Sequence, residues 1–220
     1  MSKYFSECLG TFALVFAGTG AIIVNDISGG VITHLGVALT FGLIVMVMIY
    51  ALGDISGAHL NPAVSFGFWL AKRLSLKELF LFIVSQILGA LLASSFFRMI
   101  FPGHKTLGIT LPNLISPSGC FVFEIILTFL LMLVIIQVAE GSKEKGLMAG
   151  VAIGGTIALE AILAGPITGS SMNPARSFAP AVISGHFEYL WIYMTAPFLG
   201  SAMAIVGCCF LNQDNCCKVR

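Results

Sequence analysis

Asparagine, arginine and glutamate are the residues of this chain whose spacing gives them chemistry to do. Asn-Pro-Ala occurs twice, at Asn61-Pro62-Ala63 and at Asn173-Pro174-Ala175, 112 residues apart. Proline suits the first turn of a helix, where its missing N–H would have had no partner, and asparagine just before it is a favoured N-cap. Each copy therefore starts a short helix. The positive end of each helix dipole lies at its start, and each Asn side chain offers amide N–H donors. Where two such starts meet, a passing water accepts hydrogen bonds from both amides, and a cation meets positive partial charge from both sides. Asn61 and Asn173 are thus the candidate pore constriction. Arg176, three residues into the second start, adds a fixed charge, and a charged side chain inside a membrane segment is functional by default.

Glu7 and Glu124 are the next pair. They stand in matched contexts, Glu7-x3-Thr11-Phe12 and Glu124-x3-Thr128-Phe129. The irregular backbone before each short helix has N–H groups that need acceptors, so both acids are expected to be structural carboxylates bracing those loops. Glu160, in a later apolar run, is expected to brace the second loop from behind. The four histidines, His34, His59, His104 and His186, are scattered and suggest no metal site. No Ser–His, Asp–Asp or His-x-x-x-His set lies in the apolar runs. We therefore expect no catalytic residues, no cofactor and no enzyme activity. The six cysteines, four of them crowded at Cys208, Cys209, Cys216 and Cys217, form no disulfide framework and are expected to be reduced.

The elements that must hold these residues are membrane helices. The 220 residues are 58% hydrophobic and 10% charged, with 24 Gly and 18 Phe and a net charge of +1. That composition excludes a soluble domain and gives no reason to expect nucleic acid as a partner. The N-terminus enters the first apolar run without a cleavage signal and reads as a retained span. Six runs approach the roughly 20 residues that a spanning helix needs: about 5–24, 34–52, 79–101, 119–139, 147–165 and 188–210. Two, about 61–71 and 173–183, are too short to cross. Irregular backbone at membrane depth survives only when buried in protein or lining a cavity. The short pieces are therefore expected as re-entrant half-helices, preceded by the loops Asp54-to-Leu60 and Pro166-to-Met172.

The halves repeat. The glutamates match at 117 residues, the Asn-Pro-Ala copies at 112, and Gly89-Ala90 with Gly200-Ser201 at 111. Three spans per half is an odd number, so the second half enters from the opposite face and the repeats are inverted. The expectation is one all-α membrane domain over 1–220, with repeat one at about 1–101 and repeat two at about 115–212. With the N-terminus in the cytoplasm, Lys3, Lys72, Arg73, Lys77, Lys143, Lys145, Lys218 and Arg220 lie inside, and Arg98 and Lys105 outside. That distribution puts both termini in the cytoplasm.

With these features assembled, SGAHLNPAVS and GPITGSSMNPARS resemble the two signature loops of the aquaporin, or major intrinsic protein, family. The resemblance covers essentially the whole chain. It implies the hourglass fold of six spans and two half-helices, one pore per subunit, a homotetramer in a cell membrane, and passage of water and small neutral solutes. By that resemblance the selectivity filter comprises Phe41, Ala161, Ser170 and Arg176. Gly57, Ala58 and His59 would line the pore on one side of the Asn pair, and Gly169, Ser170 and Ser171 on the other. Strictly water-selective members carry His at the position of Ala161, so a wider, more apolar filter is expected, passing molecules of glycerol size. The loop around Ser170 is similar to the plant nodulin-like and the archaeal and bacterial branches, whereas Ser177 and Ala181 resemble the water channels. A strictly water-selective channel is the alternative. An inverted-repeat secondary transporter is a further one, but neutral Asn and a fixed Arg with no acid beside them suit a static pore.

Overall fold

The computed structural model describes residues 1–139 and 147–212. They form eight helices: α1 (Ser2–Ile27), α2 (Thr33–Ser56), α3 (Pro62–Leu70), α4 (Leu76–Ile100), α5 (Pro117–Ala139), α6 (Ala149–Thr168), α7 (Pro174–Ser184) and α8 (Leu190–Asn212). Six are long and apolar enough to cross a membrane, while α3 and α7 have only 9 and 11 residues. This is the all-helical membrane fold that the composition implies. Of the basic residues used to orient the chain, Lys143, Lys145, Lys218 and Arg220 lie outside the described residues.

The loops before the half-helices are shorter than expected. α2 runs on to Ser56 and α6 to Thr168, leaving only residues 57–60 and 169–172 irregular. Gly57 (φ 87°) and Gly169 (φ 83°) end the two helices as left-handed caps, the conformation glycine adopts without a Cβ penalty. Pro166 reads in sequence as a helix stop, yet it sits inside the last turn of α6. It removes the N–H that the Ile162 carbonyl would otherwise accept. The His34 ring takes that place, with Nε2 at 2.7 Å from the Ile162 oxygen. Gly165 leaves room for the ring, since a Cβ there would lie 2.7 Å from His34 Cε1.

Packing follows the repeat. α1 lies on α4 and α5 on α8, while α2 crosses α6. Small residues set the distances, as in membrane bundles generally. A Cβ on Gly89 would strike the Cys8 carbonyl and one on Gly200 the Ile125 carbonyl, so equivalent glycines meet equivalent points of α1 and α5. Gly42 and Gly154 face each other where α2 crosses α6, each backbone blocking a side chain on the other. The half-helices are exchanged: α3 packs against α8, and α7 against α4. At one such contact the Ser201 hydroxyl donates to the Ala63 carbonyl at 2.7 Å. Outward faces carry Leu35, Leu39, Leu43 and Val47 on α2 and Leu159 and Leu163 on α6, all exposed, as lipid-facing helices require.

Cys8 and Cys120 are free thiols. Cys208 is disulfide-bonded, which corrects the expectation of reduced thiols there; spacing along a sequence does not report which sulfurs come within bonding reach. Cys216 and Cys217 lie outside the described residues.

Candidate functional site

The two four-residue loops are built alike, atom for atom. In the first, Glu7 Oε1 accepts from the Ser56 hydroxyl at 2.7 Å and from His59 N at 2.9 Å, and Oε2 accepts from Leu60 N at 2.8 Å. In the second, Glu124 Oε1 accepts from the Thr168 hydroxyl at 2.7 Å and from Ser171 N at 3.0 Å, and Oε2 from Met172 N at 2.9 Å. Ser56 Oγ and Thr168 Oγ1 each accept in turn from the N–H two residues on, both at 3.1 Å. Both glutamates are fully buried. A buried carboxylate needs such donors, and re-entrant backbone N–H groups need such acceptors. The backbone matches too: Ala58 and Leu60 stand at φ 47° and 53°, Ser170 and Met172 at φ 42° and 52°. Positive φ is costly for residues with a side chain, and the carboxylate bonds hold it.

At the end of each loop an asparagine caps its half-helix. Asn61 Oδ1 accepts from Ala63 N at 2.8 Å, and Asn173 Oδ1 from Ala175 N at 3.0 Å and Arg176 N at 3.3 Å. That fixes each amide so that its NH2 points toward the other loop. Asn61 Nδ2 donates to the Met172 carbonyl at 2.8 Å, and Asn173 Nδ2 donates to the Leu60 carbonyl at 2.9 Å. The N-termini of α3 and α7 thus meet head to head. Since an amide carries two N–H donors, each asparagine keeps one for what lies beside it.

A cavity of about 140 Å³ runs past this meeting point, room for roughly ten waters. Asn61, Asn173, Gly57, Ala58, His59, Ser170 and Ser171 line it, as do Phe41, Ala161 and Arg176. Gly169 does not. It packs on Thr110, whose Cα would lie 3.0 Å from a Cβ at that position. The rest of the wall is apolar and was not singled out in the sequence. It includes Leu14, Val45, Ile49 and Val64 from repeat one and Leu131, Ile135, Ile153 and Ile157 from repeat two. Ile153, Ile157 and Ala161 form a stripe along α6 at four-residue spacing, one face of a helix.

Arg176 is 2% exposed. Its Nη1 donates to the Gly108 carbonyl at 2.8 Å, and the guanidinium lies 5.1 Å from the centre of the Phe41 ring, within cation–π range. Its Nε has no partner among the described residues, which leaves one donor edge for a ligand. His59 is fixed by Nδ1 against Ser65 Oγ at 3.0 Å and stacks on Phe68 at 4.5 Å. Glu160 does not brace the second loop: it is buried, and neither carboxylate oxygen has a partner among the described residues. It stands next to Ala161 in sequence, about 100° round the helix.

Sequence reasoning missed several supports. Gln86 Nε2 donates to Glu7 Oε2 at 2.8 Å and to Ser65 Oγ at 2.9 Å. The Tyr193 hydroxyl donates to the Thr168 carbonyl at 2.6 Å. Gly108 and Thr110 come from the connection between α4 and α5, and the Thr110 hydroxyl donates to Ser177 Oγ at 2.8 Å. Gln86 alone had a detectable signal, as a polar residue in an apolar span.

Comparison with known proteins places this geometry in company. The family model described as Major intrinsic protein matches residues 1–207. Nodulin-26 of Glycine max is 43% identical over 213 residues, covering 96% of this chain and 77% of that protein. Aquaporin NIP1-1 of Zea mays is 46% identical over 202 residues, covering 91% and 71%. Among solved structures, the aquaglyceroporin from Plasmodium falciparum superposes with a TM-score of 0.87 at 29% identity, covering 98% of this chain and 96% of that one.

Proposed function

Since the chain belongs to the major intrinsic protein family and is a membrane channel for water and small solutes, we propose that its range reaches uncharged molecules of glycerol size while protons and ions are refused. The observation that carries this reading is the composition of the cavity wall at Arg176. Around it stand Phe41, Ala161 and Ser170, and only Phe41 and Arg176 are bulky. The methyl group of Ala161 leaves space for a carbon backbone to slide along an apolar wall, while the free Nε edge of Arg176 binds the solute's hydroxyl or amide oxygens.

Refusal of charge rests on the head-to-head asparagines. Each retained amide N–H donates to the oxygen of a passing water, so that water cannot relay a proton between its neighbours. The converging N-termini of α3 and α7 oppose any cation there, and Arg176 adds a full positive charge. The pore is passive: its charged wall group is fixed, and the two loops are tied to each other and to buried carboxylates. In the membrane we read the N-terminus as cytoplasmic, the face carrying the α4–α5 connection as external, and the assembly as a homotetramer in a cell membrane, supported by the lysine and arginine distribution and by the apolar outer helix faces.

Stopped-flow light scattering on proteoliposomes tests the range. Wild-type protein should pass water, glycerol and urea, and Ala161→His should cut glycerol and urea flux far more than water flux. A wild type that conducts water and rejects both solutes establishes the strictly water-selective reading instead.

A further inference from the structure

The carbonyl that holds Arg176 is itself held by a histidine. Gly108 follows Leu107, and the Leu107 N–H donates to His104 Nδ1 at 3.0 Å. A backbone N–H can only donate, so Nδ1 carries its lone pair and the ring proton sits on Nε2. That nitrogen faces Asp26 Oδ2, at the end of α1, at 3.3 Å. Leu107 is 1% exposed and stands at φ 53°, with Gly108 at φ 74°, so this turn is strained and its N–H has no water to fall back on. The other charged groups at the ring are Arg98 on α4, whose Nη1 donates to the His104 carbonyl at 3.1 Å and the Pro102 carbonyl at 3.2 Å, and Lys105, next in the chain. α7 presents the Arg176 guanidinium, bonded to the Gly108 carbonyl at 2.8 Å, and the Ile183 carbonyl, which accepts from Arg98 at 3.4 Å.

We propose that His104 is a positioning residue for Arg176, and that protonating its ring releases the filter arginine and closes the channel to neutral solutes. This rests on the reading of Arg176 as a filter residue. A doubly protonated imidazole has no acceptor left, so the Leu107 N–H loses its partner, the strained turn relaxes, and the Gly108 carbonyl leaves Nη1. Arg176 already has an unpartnered Nε. With Nη1 also free, the guanidinium takes its acceptors from across the cavity and retains solute oxygens instead of letting them pass. Histidine is the side chain whose charge ordinarily changes between about pH 5 and pH 8.

Proteoliposomes equilibrated on both faces at about pH 7.5 and about pH 5.5 bracket that range, with glycerol and water flux measured on the same vesicles. Wild-type glycerol flux should fall at least about threefold on acidification. In His104→Asn, Oδ1 can accept from Leu107 N and does not titrate, so flux should stay at the high level at both pH values. His104→Leu offers no acceptor and should be low at both. Equal wild-type flux at the two pH values, a pH step that persists in His104→Asn, or a His104→Leu that matches His104→Asn each overturns the proposal. Should His104→Leu not assemble, wild type against His104→Asn decides alone. Absence of both water and solute flux at both pH values counts against the channel reading itself, whereas flux without the pH step counts only against His104.

Discussion

The loop before α3 and the loop before α7 share a framework and differ in what they present to the cavity. Glutamate, hydroxyl, backbone and asparagine contacts recur at equivalent atoms with distances within 0.2 Å of each other. The residue after Ala63 is Val64 and the residue after Ala175 is Arg176, and both line the cavity. His59 stands where the second loop has Ser171, and Ile49 where α6 has Ala161. The supports differ as well. Glu7 has a fourth donor in Gln86, whereas the second half recruits Thr110 and Gly108 from outside the repeat. The framework of the two loops is symmetric, and the arginine that lines the cavity stands on one side only.

The comparison breaks most readily at the carboxylates. Glu7→Ala and Glu124→Ala each leave two buried backbone N–H groups and a hydroxyl without an acceptor, at about 1–3 kcal/mol for each unsatisfied group. Both should lose most of the folded protein, with Glu7→Ala the worse because Gln86 is also stranded. Thermal unfolding in detergent measures it, and a mild effect in either would show that the shared framework does not hold that loop.

Arg176→Val makes the second half like the first. Larger neutral solutes and some cations should then leak, with flux rising on the order of tenfold if the lost barrier is about 1.4 kcal/mol, while water flow is kept. Unchanged selectivity in an assembled protein would make Arg176 structural. Asn173→Asp should weaken cation exclusion by a smaller factor, since a carboxylate replaces a donor and partly cancels the converging dipoles. Asn61→Asp should do the same if the two starts are equivalent. Bilayer recording compares them, and a folded, non-conducting pair counts against the dipole account.

The smallest effect tests where the halves diverge in backbone. α6 carries Pro166 where α2 carries Asp54, and His34 supplies the missing donor to Ile162. His34→Ala should cost about 1 kcal/mol. Pro166→Ala restores the helix's own N–H, so the same His34 change should cost close to nothing in that background. A cost that persists there means the ring is held for another reason.

Much of this was legible in sequence because it is written twice. Asn61 with Asn173, Glu7 with Glu124 and the paired glycines each carry their own control at a fixed offset. Arg176 was legible because charge is rare in an apolar run. Gly108 and Thr110 were not, because they reach the site from 68 and 67 residues away along the chain and have no matched partner; Gln86, 79 residues from Glu7, showed only as a polar residue in an apolar span. Glu160 was misread because an acid in an apolar run was expected to find the loop's donors, and neither of its oxygens has a partner among the described residues. The second half-helix loop was drawn too long because Pro166 reads as a stop, when the glycine cap beyond it ends the helix.

The exchange of amide bonds between the two loops also bears on how the molecule is made. Asn61 reaches Met172, and Asn173 reaches Leu60, across 111 and 113 residues. Contacts that distant along a chain close late, since the loop entropy must be met before they form. A chain inserted only as far as α4 holds an Asn61 with no opposite carbonyl and an α3 with no α8 to pack against. The conduit therefore arises in one concluding step of assembly, and a half-synthesised chain should be no leak at all in the membrane that is making it.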